Sequence, residues 1–518
     1  MDRSVAQGRP GGPRAAGPTE TRTTRTDRRL VITAGVLLAL AALGIYLATG
    51  TQRYYDHFVW QAAAFLEGQA AIRYPVAASA TSHGNLYFQD VLSIPTSDGI
   101  ARGLLPFPPL PAVLLVPFVA VWGLATPDGL LFTALAAIDV AICWWMLGRL
   151  RVDAPIRLAT AVFFAFGTVF WYTAQVATTW YQAHIVAVGL TMLAIGVALG
   201  GDRDADRDPD QDAEDTDDGR RIASQTERAP VVKRASVVKR APVVERSTRL
   251  GRTLRVEPRQ FLAGLLFGLA ATARLTVAFG APFFLFVGAG GNLRRRGWSA
   301  GLGAAIPVGL LLVYNLVSSG HVLQPAYDYL YRLETLAYPA LGYHADWGVE
   351  DPRYLPQNSA IMFLTPPDVF PSRLPDSLGV NATPVCTEPG AGRGLFDIDC
   401  PLAVPRDIGM SILLTSPAFL LMIPALRRYG RSRLVTGAAL ATLFIVVVNL
   451  MHFSQGWVQF GYRFSNDAVP FALILVALGA QRLVDRGQRW AMPLTATLVV
   501  VSVAVNAWGV AWGRLLGW

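Results

Sequence analysis

Apolar residues in this chain are gathered into long unbroken runs, separated by short polar segments rich in arginine. The first run, "LVITAGVLLALAALGIYLATG" at 30–50, is long enough to cross a bilayer as a helix, which needs about 20 residues. It lies too far from the start for a secretory signal, and no small-residue cleavage site follows it, so it reads as a retained first span. Further spans are expected at 129–147, 156–173, 181–199, 261–273, 277–289, 300–318, 407–425, 434–451, 467–481 and 490–511. Together they predict an all-α polytopic membrane protein with about eleven transmembrane helices. The 261–289 pair is short for two crossings and is broken at Arg274, the pattern of a hairpin of half-length helices.

One apolar run is treated differently. "LLPFPPLPAVLLVPFVAVWG" at 104–123 carries five prolines, and counting it as a span would move every later arginine-rich loop to the outer side. The positive-inside rule argues against that. We expect a helix in the outer interface or re-entering the membrane, with its prolines near the helix start or buried against protein.

This scheme places "GRLRVDAPIR", "NLRRRGW", "RRYGRSR" and "QRLVDRGQR" inside. It divides the chain into a disordered cytoplasmic tail (1–29), the first span (30–50), a first outer loop (51–128), spans (129–200), a disordered charged cytoplasmic insertion (201–258), spans (259–319), a large outer loop (320–406) and C-terminal spans (407–518). The expected location is the plasma (inner) membrane, with the N-terminus cytoplasmic and the active site on the outer face. The tail and the insertion have little to bury, and blocks of like charge keep the insertion solvated.

Composition agrees: 53% of the 518 residues are hydrophobic. The formal charge of +9 would suit nucleic acid, but the clustering of arginines in short segments between apolar runs argues against that partner. Three cysteines are too few for a disulfide framework or a Cys-rich metal site. Cys386 and Cys400 share an outer polar loop, where an oxidising compartment lets them pair.

Walker, Rossmann, His-Glu-x-x-His and nucleophile-elbow motifs are absent from the sequence. What remains is a set of polar residues at the outer ends of spans. Asp56, in "RYYDHFVWQAAAFLEG", would be held at headgroup depth among aromatic residues, where partial desolvation raises basicity. The plainer reading is a surface helix cap. Arg102, Arg274 and Arg463 are candidate anion ligands, and an intramembrane arginine such as Arg274 needs a partner. His57, Asp98, His184 and Tyr462 are candidate auxiliary groups. Asp139 lies inside a span and is assigned no chemistry. A divalent metal is left open by Asp90, Asp98 and the outer histidines.

Several stretches taken in order resemble one family. These are "YYDHFVWQAAAFLEG", "PFPPLPAVLLVPFVAVWG", "WYQAHIVAVGLTMLAIG", "FLAGLLFGLAATARLTV", "YNLVSSGHVLQPAY" and "GWVQFGYRFSNDAVPF". Their order and spacing resemble the polytopic C-type (GT-C) glycosyltransferases, in the branch of protein O-mannosyltransferases and aminoarabinose transferases. The resemblance implies a GT-C-like helical bundle with juxtamembrane helices in the first outer loop. It implies transfer of a sugar, with inversion, from a polyprenyl-phosphate-linked donor to a lipid, glycan or protein acceptor among membrane lipids. Asp56 then matches the family's first-loop base, and "PFPPL" resembles its Pro-Pro motif, for which Arg102 is the nearest basic residue. His57 stands where the protein mannosyltransferases carry a second acid. The rival expectations are a transporter or flippase of lipid-linked substrates and a non-catalytic envelope assembly factor.

Overall fold

The structure is a computed structural model describing residues 25–51, 55–73, 90–94, 97, 99–100, 102–201, 255–328, 344, 346–375, 382–456 and 458–518. Residues 1–24 of the expected tail, most of the 201–258 insertion and Asp98 lie outside the described residues, while 25–29, expected to be disordered, open the first helix.

Helix α1 (Arg25–Ala48) rises to the end of the bundle that carries the first loop. There lie α2 (His57–Leu66), the strands β1 (Ile72–Arg73), β2 (Leu92–Ile94) and β3 (Arg102–Leu104), and α3 (Leu110–Trp122). The strands form one antiparallel sheet in the order β1-β3-β2. Pro109 precedes α3 and Pro111 sits in its first turn, where a missing N–H costs no helical bond. With 13 residues α3 is about 20 Å long, too short to cross a bilayer of about 30 Å.

The bundle continues with α4 (Asp128–Leu147), α5 (Ala154–Phe166), α6 (Phe170–Val176), α7 (Thr179–Gly201), α8 (Pro258–Ala271), α9 (Pro282–Phe286) and α10 (Leu293–Ser319). In the second loop lie α11 (Leu355–Leu364), β4 (Asp368–Val369), β5 (Arg373–Pro375), β6 (Ala382–Pro384) and β7 (Ala403–Val404). Strand β4 pairs with β7, and β5 with β6. The C-terminal part holds α12 (Ile412–Thr415), α13 (Met422–Leu426), α14 (Arg433–Met451), α15 (Val469–Asp485) and α16 (Ala491–Leu515). The chain is thus an integral multi-pass membrane protein, mostly helical, with short strands confined to its loops.

Among the described residues six helices are long and apolar enough to cross a membrane, or seven if α5 and α6, bent by 46° at their break, count as one. This differs from about eleven continuous helices in identifiable places. The expected 407–425 span is α12, a 3-10 turn (Pro417–Leu421) and α13, because Pro417 and Pro424 interrupt an otherwise apolar run. The 261–289 hairpin is α8, then Arg274 in extended conformation, a 3-10 turn (Leu275–Gly280) and α9.

The loops sort to the two ends of the bundle. Trp144 Nε1 donates to the Val31 carbonyl, tying the end of α4 to the start of α1, and Arg514 reaches the Ala48 carbonyl from the end of α16. At the opposite end from the first and second loops, Asp153 bonds Gln481, Arg259 bonds the Gly200 carbonyl, Arg295 pairs with Glu257, and Arg433 bonds the Phe286 carbonyl. The arginine-rich turns therefore share one end.

Helices α8 and α10 pack backbone to backbone. A Cβ at Gly264 would strike the Ala300 carbonyl, and one at Gly268 would lie 2.7 Å from Ala304 Cα. This Gly-x-x-x-Gly contact is how membrane helices gain dispersion energy where no hydrophobic effect separates helix from lipid. It fixes α8, the element that delivers Arg274.

Asp139 is buried in α4, and neither carboxyl oxygen has a hydrogen-bond partner among the described residues. An unpaired charge in such a place would cost several kcal/mol. We therefore expect a neutral carboxyl, and Asp139→Asn should leave the melting temperature in detergent within a few degrees of wild type; a large drop would reveal an ionised, partnered acid.

Candidate active site

Asp56 occupies the position before the first turn of α2. Its backbone carbonyl accepts the Trp60 N–H at 3.0 Å, but its carboxylate makes no capping bond. The plain helix-cap role is not made, and among the described residues the carboxylate has no hydrogen-bond partner. Burial, and secondarily the nearby Asp128, push its pKa up to about 6. A group of that pKa is mostly ionised at neutral pH yet far more basic than an exposed carboxylate, which suits general-base work.

The flanking residues are held by the start of α7. The Tyr55 carbonyl accepts the hydroxyls of Thr178 at 2.9 Å and Thr179 at 3.2 Å. His57 Nδ1 lies 2.9 Å from Thr179 Oγ1, and its fully buried ring is enclosed by Tyr55, Trp60, Phe107 and Trp180. His57 thus acts as an anchor for the chain on either side of Asp56. Asp128, the first residue of α4, accepts a bond from Gln182 of α7. Trp180 donates to Asp90 at 2.8 Å.

A second cluster forms around Asp467, which is buried at the end of the 3-10 turn Arg463–Asp467. Its carboxylate meets His184 Nδ1 at 2.8 Å, Arg274 Nη2 at 3.1 Å, Thr276 Oγ1 at 2.5 Å and Asn449 Nδ2 at 3.5 Å. Arg274 also lies 5.1 Å from the centroid of Phe464. Here the partner demanded by an arginine at a helix break is found.

Arg463 is different: it makes no ion pair among the described residues. Its guanidinium lies 5.3 Å from the ring centroids of both Tyr181 and Phe464. The stretch "GWVQFGYR" explains its placement. Gly456 has φ +85°, and a Cβ there would stand 2.8 Å from Arg463 Nε. Gln459 Oε1 accepts the Arg463 N–H at 3.2 Å and its Nε2 donates to the Gln455 carbonyl at 2.6 Å. The loop is folded around its arginine.

The remaining candidates are dispersed. Arg102 is buried in β3, opposite Arg73 and Ile94 in the first-loop sheet. Tyr462 is buried against Ile361, Met362, Leu450 and Phe464, its hydroxyl 3.4 Å from the Asn449 carbonyl. Cys386 and Cys400 form a disulfide. No group of three or more His, Cys, Asp or Glu is placed to hold a metal among the described residues.

One helix end organises both clusters. At 100° per residue, Thr179 and Gln182 share one side of α7, towards His57 and Asp128, while Tyr181 and His184 share nearly the opposite side, towards Arg463 and Asp467. The two clusters thus lie on opposite sides of the start of α7. Asp467, Asp128 and Gln182 were not singled out from the sequence. The signal for Asp467 was an acid four residues after Arg463 at the head of an apolar run. Asp128 offered none, since an acid in the first turn of a helix is ordinary.

No protein-family model matches the chain, and no curated protein matches it. Among solved structures it is similar to ArnT from Cupriavidus metallidurans bound to undecaprenyl phosphate, with 13% identity and a TM-score of 0.40, over 94% of this chain and 76% of that one. It is also similar to the Archaeoglobus fulgidus oligosaccharyltransferase. The form tethered to an acceptor peptide gives 12% identity and a TM-score of 0.37, over 96% of this chain and 55% of that one. The apo form gives 11% identity and a TM-score of 0.37, over 95% and 56%.

Proposed function

We propose that the chain is a membrane glycosyltransferase that moves a sugar from a polyprenyl-phosphate carrier to an acceptor hydroxyl on the outer face. The observation that carries this reading is the Asp56 carboxylate: unpartnered among the described residues, raised in basicity, and set beside the start of α7, whose other side meets Arg463 through Tyr181. In the step we envisage, the acceptor oxygen attacks the anomeric carbon as the bond from that carbon to the phosphate oxygen breaks. The hydroxyl proton passes to Asp56, and the phosphate departs with the bond's electrons as an anion. One displacement inverts the anomeric centre.

The two arginines then divide the remaining work. Arg274 is largely neutralised by Asp467, so its role is to hold the 3-10 turn that presents Arg463. Arg463 supplies the charge for the departing phosphate. Replacing Arg463 by alanine should lower transfer at least about tenfold without loss of folding, whereas Arg274→Ala should lower thermal stability first. Initial rates and melting curves on the same preparations distinguish the two.

The outer-face assignment is supported by the gathering of arginine-rich turns at one end of the bundle and of a disulfide-bearing loop at the other. The test of the function is mass spectrometry of lipid-linked sugars in cells lacking the chain. One lipid-linked sugar should accumulate, and wild type but not Asp56→Asn should clear it. No change in any such pool would count against a transferase and in favour of an assembly role; restoration by the Asn variant would favour transport.

A further inference from the structure

A compact knot in the second loop carries an exposed apolar tip. The Cys386–Cys400 disulfide closes it, the Cys386 N–H donates to the Asp399 carbonyl at 2.8 Å, and the Leu402 N–H donates to the Gly394 carbonyl at 2.8 Å. At the tip, Leu395 and Phe396 are each 50% exposed and Ile398 41%, with Val369 at 52% and Phe370 at 60% on the adjoining strand segment. Asp397 does not spoil the tip: its Oδ1 is turned back to accept the N–H groups of Asp399 at 3.0 Å and Cys400 at 3.2 Å. A rigid, stapled loop with large apolar side chains outward calls for a partner.

The depth of the knot identifies that partner. Trp512 Nε1 donates to the Leu395 carbonyl at 3.1 Å. Trp512 lies 21 positions after Ala491, the first residue of α16, which is about 31 Å along the axis, matching a hydrocarbon core of about 30 Å. The Trp512 indole is fully buried beneath the knot and fastens it at that depth. Only 33% of the spanning window of α16 is buried, and Leu494, Val500 and Val501 stay exposed on it, so this helix faces lipid. The knot is therefore fastened at the outer boundary depth of a helix whose first half is exposed to lipid.

We propose that this knot is an interfacial anchor, its Leu395, Phe396 and Ile398 side chains dipping into the boundary between headgroups and acyl chains beside α16. The anchor is coupled to the Arg463 loop: the segment that leaves β7 bonds it through the Asp407 carbonyl to Gln459 N–H at 3.0 Å and the Met410 N–H to Gly461 carbonyl at 3.2 Å. Lipid contact at the knot thereby steadies the loop that presents the guanidinium. The partner is lipid, and the inference stands whether or not the chain transfers sugar.

The test uses the full chain in nanodiscs of phosphatidylcholine and phosphatidylglycerol. p-Benzoylphenylalanine is placed at position 396, at 398 in a second sample, and at the exposed position 388 as control. After irradiation, intact-mass analysis should show lipid adducts at 396 and 398 at about ten times the level at 388. Absence of lipid adducts at both 396 and 398, or cross-linking there to a second protein chain instead, would overturn the proposal.

Discussion

Asp56→Asn should reduce sugar transfer by roughly 10²–10⁴-fold, the range supplied by a positioned general base, while the chain folds as before. The amide has nearly the same shape, and the carboxylate it replaces makes no bond among the described residues that folding would lose. The variant should even gain slightly in stability at neutral pH. Asp56 has a folded pKa of about 6 against 3.8 ordinarily, so the native state favours its protonated form. The associated stability is fully present below 3.8 and is lost as pH rises through about 6; an asparagine escapes that loss. Transfer assays and thermal melts on one preparation would show activity and stability moving in opposite directions, which a merely structural residue cannot produce.

As the proposed base, the same group should set a pH profile. A base must be ionised to work, so the transfer rate should climb as pH rises through about 6 and level off above it. Asp128 contributes to the upward shift by like-charge repulsion. Asp128→Asn should therefore move the acid limb to lower pH, without abolishing the plateau. A limb that stays in place would show that burial alone sets the basicity; a flat profile from pH 5 to 8 would remove Asp56 from the proton transfer.

The large-scale fold was legible because it rests on two coarse forces, apolar length and arginine placement. Runs such as 434–451 and 490–511 became α14 and α16 with small shifts at their ends. Legibility failed where local backbone chemistry cut across an apolar run. Pro417 and Pro424 were visible in the sequence, yet a hydropathy window averages over them. The candidate site divided in the same way. Arg274 announced itself by expense, since a cation at a helix break needs a partner. The identity of that partner, 193 positions away in Asp467, depends on how α8, α7 and the Arg463 turn converge, and no local pattern encodes such a meeting. His57 and His184 looked alike as outer histidines. One turned out to fasten the chain beside Asp56 to Thr179, and the other to complete the Asp467 network, a distinction that lies in tertiary contacts only.

Asp467→Ala should be the most destabilising single change among these residues. It removes a fully buried carboxylate on which His184, Arg274, Thr276 and Asn449 all converge, and leaves Arg274, with its side chain only 22% exposed, without its counter-ion. Breaking a buried pair from one side typically costs about 3–5 kcal/mol, because the surviving charge stays desolvated. Asp467→Asn should cost less, since the amide oxygen still accepts some of the same bonds, though without the charge. The decisive comparison is the double variant Asp467→Ala with Arg274→Met. If the penalty arises from the stranded guanidinium, removing it should recover much of the lost melting temperature, giving a large coupling in a double-mutant cycle. Losses that simply add would show that Asp467 acts through His184, Thr276 and Asn449 alone, and Arg274 would then return as a cation free to meet the phosphate beside Arg463.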